Sequence, residues 1–436
     1  DDELPHMRAG QAYAAANIDR DDDAARLCSA YPDAAVYVAN LRLPVREWIR
    51  WLEQALNAAR KLGNRSGEGV HLGNLGLAYA ALGDARQAIA FYEQHLVIAR
   101  EIGDRRGEGA DLGNLGLAYA ALGDARQAIA FYEQRLVIAR EIGDRRGEGN
   151  ALGNLGSAYA ALGDARQAIA FYEQHLVIAR EIGDRRGEGN ALGNLGSAYA
   201  ALGDARQAIA FYEQALAIDR EIGDRRGEGA DLGNLGSAYY SLGDARQAIA
   251  FYEQALAIDR EIGDRRGEGA DLGNLGSAYY SLGDARQAIA FYEQALAIDR
   301  EIGDRRGEGN ALGNLGNAYA ALGDARQAIA FYEQRLVIAR EIGDRRGEGN
   351  ALGNLGSAYY SLGDARQAIA FYEQHLVIAR EIGDRRGEGN ALANMGLAYK
   401  ELGDANQAKT LWRAALEIYE AIENPNAKRV KKWLEE

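Results

Sequence analysis

A chain of 436 residues exceeds the roughly 250–300 at which one hydrophobic core stops growing, so its core must be divided or repeated. With 47% hydrophobic and 26% charged residues it reads as a soluble folded protein, and no run approaches the ~20 apolar residues of a membrane helix, which excludes a membrane span; no membrane partner is expected. A net charge of −14 opposes binding to a phosphate backbone, which needs clustered Lys and Arg, so nucleic acid is excluded too.

Cys28 is the only cysteine, which rules out an internal disulfide framework. No charged-then-apolar leader opens the chain, and the expected compartment is the cytoplasm. Residues 1–44 hold Pro5, Pro32 and Pro44 and the acidic cluster Asp19, Asp21, Asp22 and Asp23. Short irregular helices capping the rest are expected there. "REWIRWLEQALNAARKLGNR" aligns with the later "AIAFYEQALAIDREIGDR", so residues 45–66 read as the second helix of an incomplete unit.

From 67 to 423 the text repeats. An "LGD" turn recurs from Gly83 to Gly403 in eight steps of 40 residues, which makes nine units. In the second unit Leu112, Leu115, Tyr119 and Leu122 lie on one helical face, and Ala128, Ile129, Tyr132 and Leu136 mark the face of a second helix. Asp124 suits the N-cap between them, and Gly143 the C-terminal stop. Each unit is two antiparallel helices that cannot bury their apolar faces alone, and stacking would give a continuous core. Residues 424–436 break at Pro425 and form a last helix, with Val430, Trp433 and Leu434 on the array and Lys428, Lys431 and Lys432 toward water.

"NLGSAYAALGDARQAIAFYEQAL" resembles the tetratricopeptide repeat: Leu155, Gly156, Tyr159, Gly163, Ala168 and Tyr172 stand at that motif's spacing. The 40-residue unit, against the family's usual 34, is similar to the repeats of Pins-type G-protein-regulator scaffolds and to the arrays ending bacterial STAND (NB-ARC) signalling proteins. Two slots depart from the common pattern. Leu112 and its equivalents replace the usual Trp, and the small residue of the second helix becomes His95, Arg135, His175, Arg335 or His375. The resemblance implies an all-α, right-handed superhelical solenoid of antiparallel helix pairs with helical caps at both ends. It also implies that a face of the first helices lines a concave groove, the family's usual ligand site.

The nine copies differ mostly on that face. One varied slot holds Asn150, Asn190, Asn310 and Asn350; a second holds Ser157, Ser197, Ser237, Ser277 and Asn317; a third holds Tyr240, Tyr280 and Tyr360. A slot that hardly varies holds Asn114, Asn154, Asn194, Asn234, Asn274, Asn314 and Asn354, each beside a glycine. An amide can donate and accept at once, as a peptide backbone does, and a bare glycine would let that backbone come close. This ladder reads in two ways, as ligand contact or as bonds between neighbouring units. The tyrosines likewise read as groove anchors or as packing. Gly153-type glycines are expected to keep the groove floor low, and Gly156-type glycines to let the helices approach.

His71, His95, His175 and His375 lie in different units and cannot converge on a metal. Cys28 lacks a catalytic histidine partner, and "GEGADLG" lacks the strand and the Lys-Ser/Thr sequel of a phosphate loop. Glu148 and Asp164 read as solvated turn charges. No catalysis, cofactor or metal is expected. Asp231, Asp259, Asp271 and Asp299 make the middle units more acidic: residues 227–266 carry seven acids against four arginines, and residues 147–186 five against four. A partner with a basic segment would be favoured there. The expected function is a scaffold or sensor domain that binds a polypeptide segment in its groove, such as the sensing arm of a STAND-type protein. The alternative is a structural spacer or a self-assembling scaffold.

Overall fold

The computed structural model describes residues 3–435, and every regular element among them is an α-helix. The helices fall into two compact units, one ending at Ile218 and one starting at Asp219.

The first unit opens with α1 (Glu3–Ala16), α2 (Asp22–Arg42) and α3 (Val45–Lys61). Helix pairs follow: α4 (Arg65–Ala81) with α5 (Ala85–Ile102), α6 (Arg105–Ala121) with α7 (Ala125–Glu141), α8 (Arg145–Ala161) with α9 (Ala165–Glu181), and α10 (Arg185–Ala201) with α11 (Ala205–Ile222). The second unit contains α12 (Arg225–Ser241) with α13 (Ala245–Ile262), α14 (Arg265–Ser281) with α15 (Ala285–Ile302), and α16 (Arg305–Ala321) with α17 (Ala325–Glu341). It ends with α18 (Arg345–Ser361) and α19 (Ala365–Glu381), α20 (Arg385–Glu401) and α21 (Ala405–Ala421), and the single helix α22 (Asn426–Glu435).

Local chemistry sets these boundaries. Asp144 Oδ1 accepts from the Gly147 amide at 2.9 Å to cap α8, and Asp164 Oδ1 accepts from the Gln167 amide at 3.1 Å to cap α9. Between them the chain reverses at Gly163, whose φ of +80° is open to glycine at no steric cost. Leu152 and Leu155 of α8 are buried with Tyr132 and Leu136 of the preceding pair, and Tyr159 stacks on Phe171 with centroids 5.3 Å apart. A methyl group on Gly156 would land within the Tyr172 ring, so that glycine sets the approach of α8 to α9.

Three places differ from the sequence reading. The N-terminal segment is not short and irregular: α2 runs 21 residues through Pro32. An internal proline opposes a helix by ~3 kcal/mol. Against that stands the burial of Pro32 itself and of Ala25 and Cys28 beside Ala14 of α1 and Ala58 of α3. Glu148 is not solvated. It is 6% exposed and accepts from Arg140 Nε at 2.7 Å and Arg145 Nη1 at 2.5 Å, while Arg145 also reaches Glu181. Burial alone would push its carboxyl up, but the two guanidinium hydrogen bonds outweigh that and hold it below the usual carboxylate range. Asp164, also read as solvated, is the helix cap described above. At the C-terminus Val430 is buried and the Trp433 ring lies 5.5 Å from that of Trp412, while Lys428, Lys431 and Lys432 are exposed, as expected.

Candidate functional site

In the second unit the first helices present one polar, glycine-rich face. Arg226, Gly229, Ala230, Gly233, Asn234 and Ser237 follow one another along α12 at spacings of three, one, three, one and three. They line a recess of about 270 Å³ together with Asp259 of α13, Asp264 of the turn, and Gly267, Ala270, Asp271 and Asn274 of α14. The same face of α14 lines a second recess, of about 410 Å³, with Tyr292, Ala295 and Asp299 of α15, Asn310, Ala311 and Asn314 of α16, and Arg335 of α17.

Whether the floor is bare depends on one slot of the second helix. Where that slot is His175 or His375, the ring lies against Gly153 or Gly353, with Nδ1 about 3 Å from where a methyl group would stand. Where it is Arg135 or Arg335, the guanidinium covers Gly113 or Gly313. Burial holds the Arg135 and Arg335 pKa values below the ordinary guanidinium value. The low floor expected beside every Asn is therefore open only where the slot is alanine. In all five variant units, His95 against Gly73 included, the glycine accommodates the chain's own His or Arg. Next to Ala295, a methyl group on Gly273 would meet nothing within 4 Å.

Two acidic slots meet at the smaller recess. Asp259 lies between the two helices, with Oδ1 3.2 Å from a methyl position on Gly229, and its carboxylate covers Gly267. Asp271 places Oδ1 3.3 Å from the same position on Gly233, and its Oδ2 is sealed from solvent without a hydrogen bond. The two residues are 8% and 6% exposed. Burial, then the neighbouring Asp259 charge, pushes Asp271 up to about 8. Burial, then Asp264 and Glu268, pushes Asp259 up to about 6. Asp231 is likewise raised to about 8, by burial and then Asp219. Burial therefore disfavours the charged forms of Asp231 and Asp271 while no counter-ion faces them, so the acid count overstates the charge of the middle units.

The other expected site residues fall into groups. The amides of Asn114, Asn154, Asn194, Asn234, Asn274 and Asn314 are half-buried on the first-helix face, and none is bonded to another protein group among the described residues. Asn354 is different: its Nδ2 donates to Asn317 Oδ1 at 3.2 Å, and Asn317 also accepts from Tyr332 at 2.8 Å. There the inter-unit bond is what forms. Ser157, Ser197, Ser237 and Ser277 donate to the carbonyl four residues back and accept from Tyr172, Tyr212, Tyr252 and Tyr292. Their hydroxyls fix a core tyrosine, and Ser237 and Ser277 also line the recesses. Asn150, Asn190, Asn310 and Asn350 are exposed, and Asn310 lines the larger recess. Tyr240 and Tyr280 are each 39% exposed, whereas Tyr360 packs against Ala365, Ala368, Ile369 and Met395.

Slot-by-slot reading picked out Asp259 and Asp271 as charges, not as groove residues. The signal was present: the second-helix slot and the aspartate slot stand 16 residues apart, and His95 Nδ1 meets Asp111 Oδ1 at 2.9 Å across that interval.

A repeated hairpin whose first helices share a polar, indented face is a helical-repeat interaction scaffold. The tetratricopeptide repeat family matches residues 71–141, 108–181, 147–221, 187–261, 229–301, 268–341, 307–381 and 347–421, and the chain belongs to that family. Among solved structures it is similar to a STAND signal-transduction ATPase with a tetratricopeptide repeat sensor from Pyrococcus horikoshii. The TM-score is 0.62 at 17% identity, over 83% of this chain and 55% of that one. It is also similar to the apo quorum sensor NprR from B. thuringiensis, with TM-score 0.56 at 17% identity, over 83% of this chain and 99% of that one. A Rap protein complexed with competence and sporulation factor gives 0.50 at 17% identity, over 82% and 99%. No curated protein sequence matches the chain.

Proposed function

We propose that the chain is a recognition array that holds an extended polypeptide segment along its first-helix face, with basic residues favoured in that segment. The observation that carries this reading is the run of unengaged, half-buried amides of Asn234, Asn274 and Asn314 beside the recesses that Ala255 and Ala295 leave open. Such amides can pair with both groups of a peptide unit, and an extended chain presents those groups in series. We infer further that the array is the cytoplasmic sensing arm of a longer STAND-type signalling protein. The likeness to the Pyrococcus horikoshii STAND sensor and to the quorum sensor NprR supports that setting.

The test is selection of a displayed random-peptide library on the full chain and on a variant carrying Asn234→Ala, Asn274→Ala and Asn314→Ala. Peptides that bind the parent and are lost from the variant, at unchanged far-UV circular dichroism, are the expected result. Peptides held equally by both would overturn the role of the amides, and none at all would make the array a spacer.

A further inference from the structure

The chain carries an internal control for the acidic recess. In the first unit the aspartate slot is Asp111, and the second-helix slot facing it is His95, whose ring nitrogen meets the carboxylate at 2.9 Å. In the second unit the aspartate is Asp271 and the corresponding slot is Ala255. The carboxylate remains, and the nitrogen donor that would satisfy it is missing. Asp271 Oδ2 is buried without a hydrogen bond, as Asp111 Oδ2 also is, but Asp271 Oδ1 lacks the partner that His95 gives Asp111, and Asp271 itself lines a recess of about 270 Å³. A buried carboxylate with neither oxygen partnered is costly, so a feature of this kind calls for an explanation.

The surrounding charges say what would fill it. Asp259, Asp264 and Asp271 line the recess, and Arg226 is the only basic residue among its described lining residues. Arg226 is 81% exposed and lies 4.0 Å from Asp264, at the rim. Glu268, on the same helix as Asp271, is already held by Arg260 and Arg265. The excess of carboxylates over cations is therefore local and inside. The volume falls below the ~300–1,000 Å³ of a drug-sized ligand site and suits a single side chain.

We propose that the recess between α12 and α14 receives one guanidinium- or ammonium-bearing side chain of the bound polypeptide, and that Asp271 and Asp259 select it. This rests on the reading of the first-helix face as a polypeptide groove. A guanidinium fits best, since its planar fork can satisfy two carboxylates at once and Asn234 and Asn274 offer further carbonyl acceptors. The next recess makes the selection directional. There the aspartate slot is Ala311, and Arg266 and Arg335 balance Asp299 and Asp304 in the lining, so a second cation one unit further on meets no excess of acid. The elevated pKa values of Asp259 and Asp271 agree with carboxylates that lack a counter-ion.

The experiment uses the most enriched groove-dependent peptide from the display selection, synthesised with arginine or lysine as selected and with uncharged citrulline or norleucine in its place. Binding to the full chain is read by fluorescence anisotropy. The cationic form should bind roughly tenfold or more tightly than the neutral form. That ratio should collapse toward one for the isosteric Asp271→Asn variant, and Ala255→His should block the recess with the chain's own ring. Groove-dependent peptides that lack a recurrent basic position, or a ratio untouched by Asp271→Asn, would overturn the cation site and leave the groove reading intact. No peptide that depends on Asn234, Asn274 and Asn314 would overturn both.

Discussion

The His95 ring nitrogen and the Asp111 carboxylate meet at 2.9 Å, joining α5 to α6 beneath the polar face of the first helices. The same interval in the second unit joins Ala255 to Asp271 and leaves a recess instead. One slot therefore decides whether a repeat closes on itself or stays open.

Restoring the ring should restore the bond. Ala255→His should raise the thermal midpoint of the second unit at neutral pH, by an amount set by a charge-assisted hydrogen bond of about 1.5–3 kcal/mol. His95→Ala should lower that of the first unit to a similar extent. Circular dichroism melts of both variants check this, and the gain from Ala255→His should vanish in the Asp271→Asn background.

The buried aspartates make stability depend on pH. Asp271 titrates at about 8 in the folded chain, above its ordinary value of 3.8. Its folded state therefore holds more protons than the unfolded state between those values. Stability is fully present below the lower value and falls as pH rises through the upper one, by up to about 1.4 kcal/mol per pH unit. Asp271→Asn removes that loss, so its melting temperature should gain on the parent's steadily from about pH 5 to 8. A constant difference would contradict the assignment.

The glutamates act in the opposite sense. Glu148 sits below the usual range when folded, so its contribution is present above the ordinary carboxylate pKa and disappears as pH falls through the folded value. Glu148→Gln should cost about 1–3 kcal/mol at neutral pH, because it removes a charged partner from Arg140 and Arg145. The variant and the parent should converge in acid, as denaturation at a series of pH values would show.

Glycine substitutions separate the open units from the closed ones. Gly273→Ala meets nothing within 4 Å and should stabilise the array by about 0.5–1 kcal/mol, since alanine is the better helix former. Gly313→Ala collides with Arg335 and Gly156→Ala with the Tyr172 ring, and each should destabilise by about 1–3 kcal/mol. If the first-helix face holds a peptide, Gly273→Ala should weaken its binding even as the melting temperature rises.

The helix pairs, the cap at Asp124, the turn at Gly163 and the end helices at 45–61 and 426–435 follow from the text of the chain and its 40-residue repeat. Periodicity, capping and turn chemistry act over a few residues, so a single copy suffices to read them and nine copies remove ambiguity. What the sequence could not settle depends on distance through space. It could not show that α2 continues through Pro32, that Glu148 is buried between two arginines, or that Asn354 bonds to Asn317 while Asn274 stays free. Nor could it show that His and Arg side chains of the second helices cover the glycines of the first. Whether a given glycine faces a ring, a guanidinium or open space is decided only when two helices pack, because the side chain that fills the gap comes from a residue some 20 positions away.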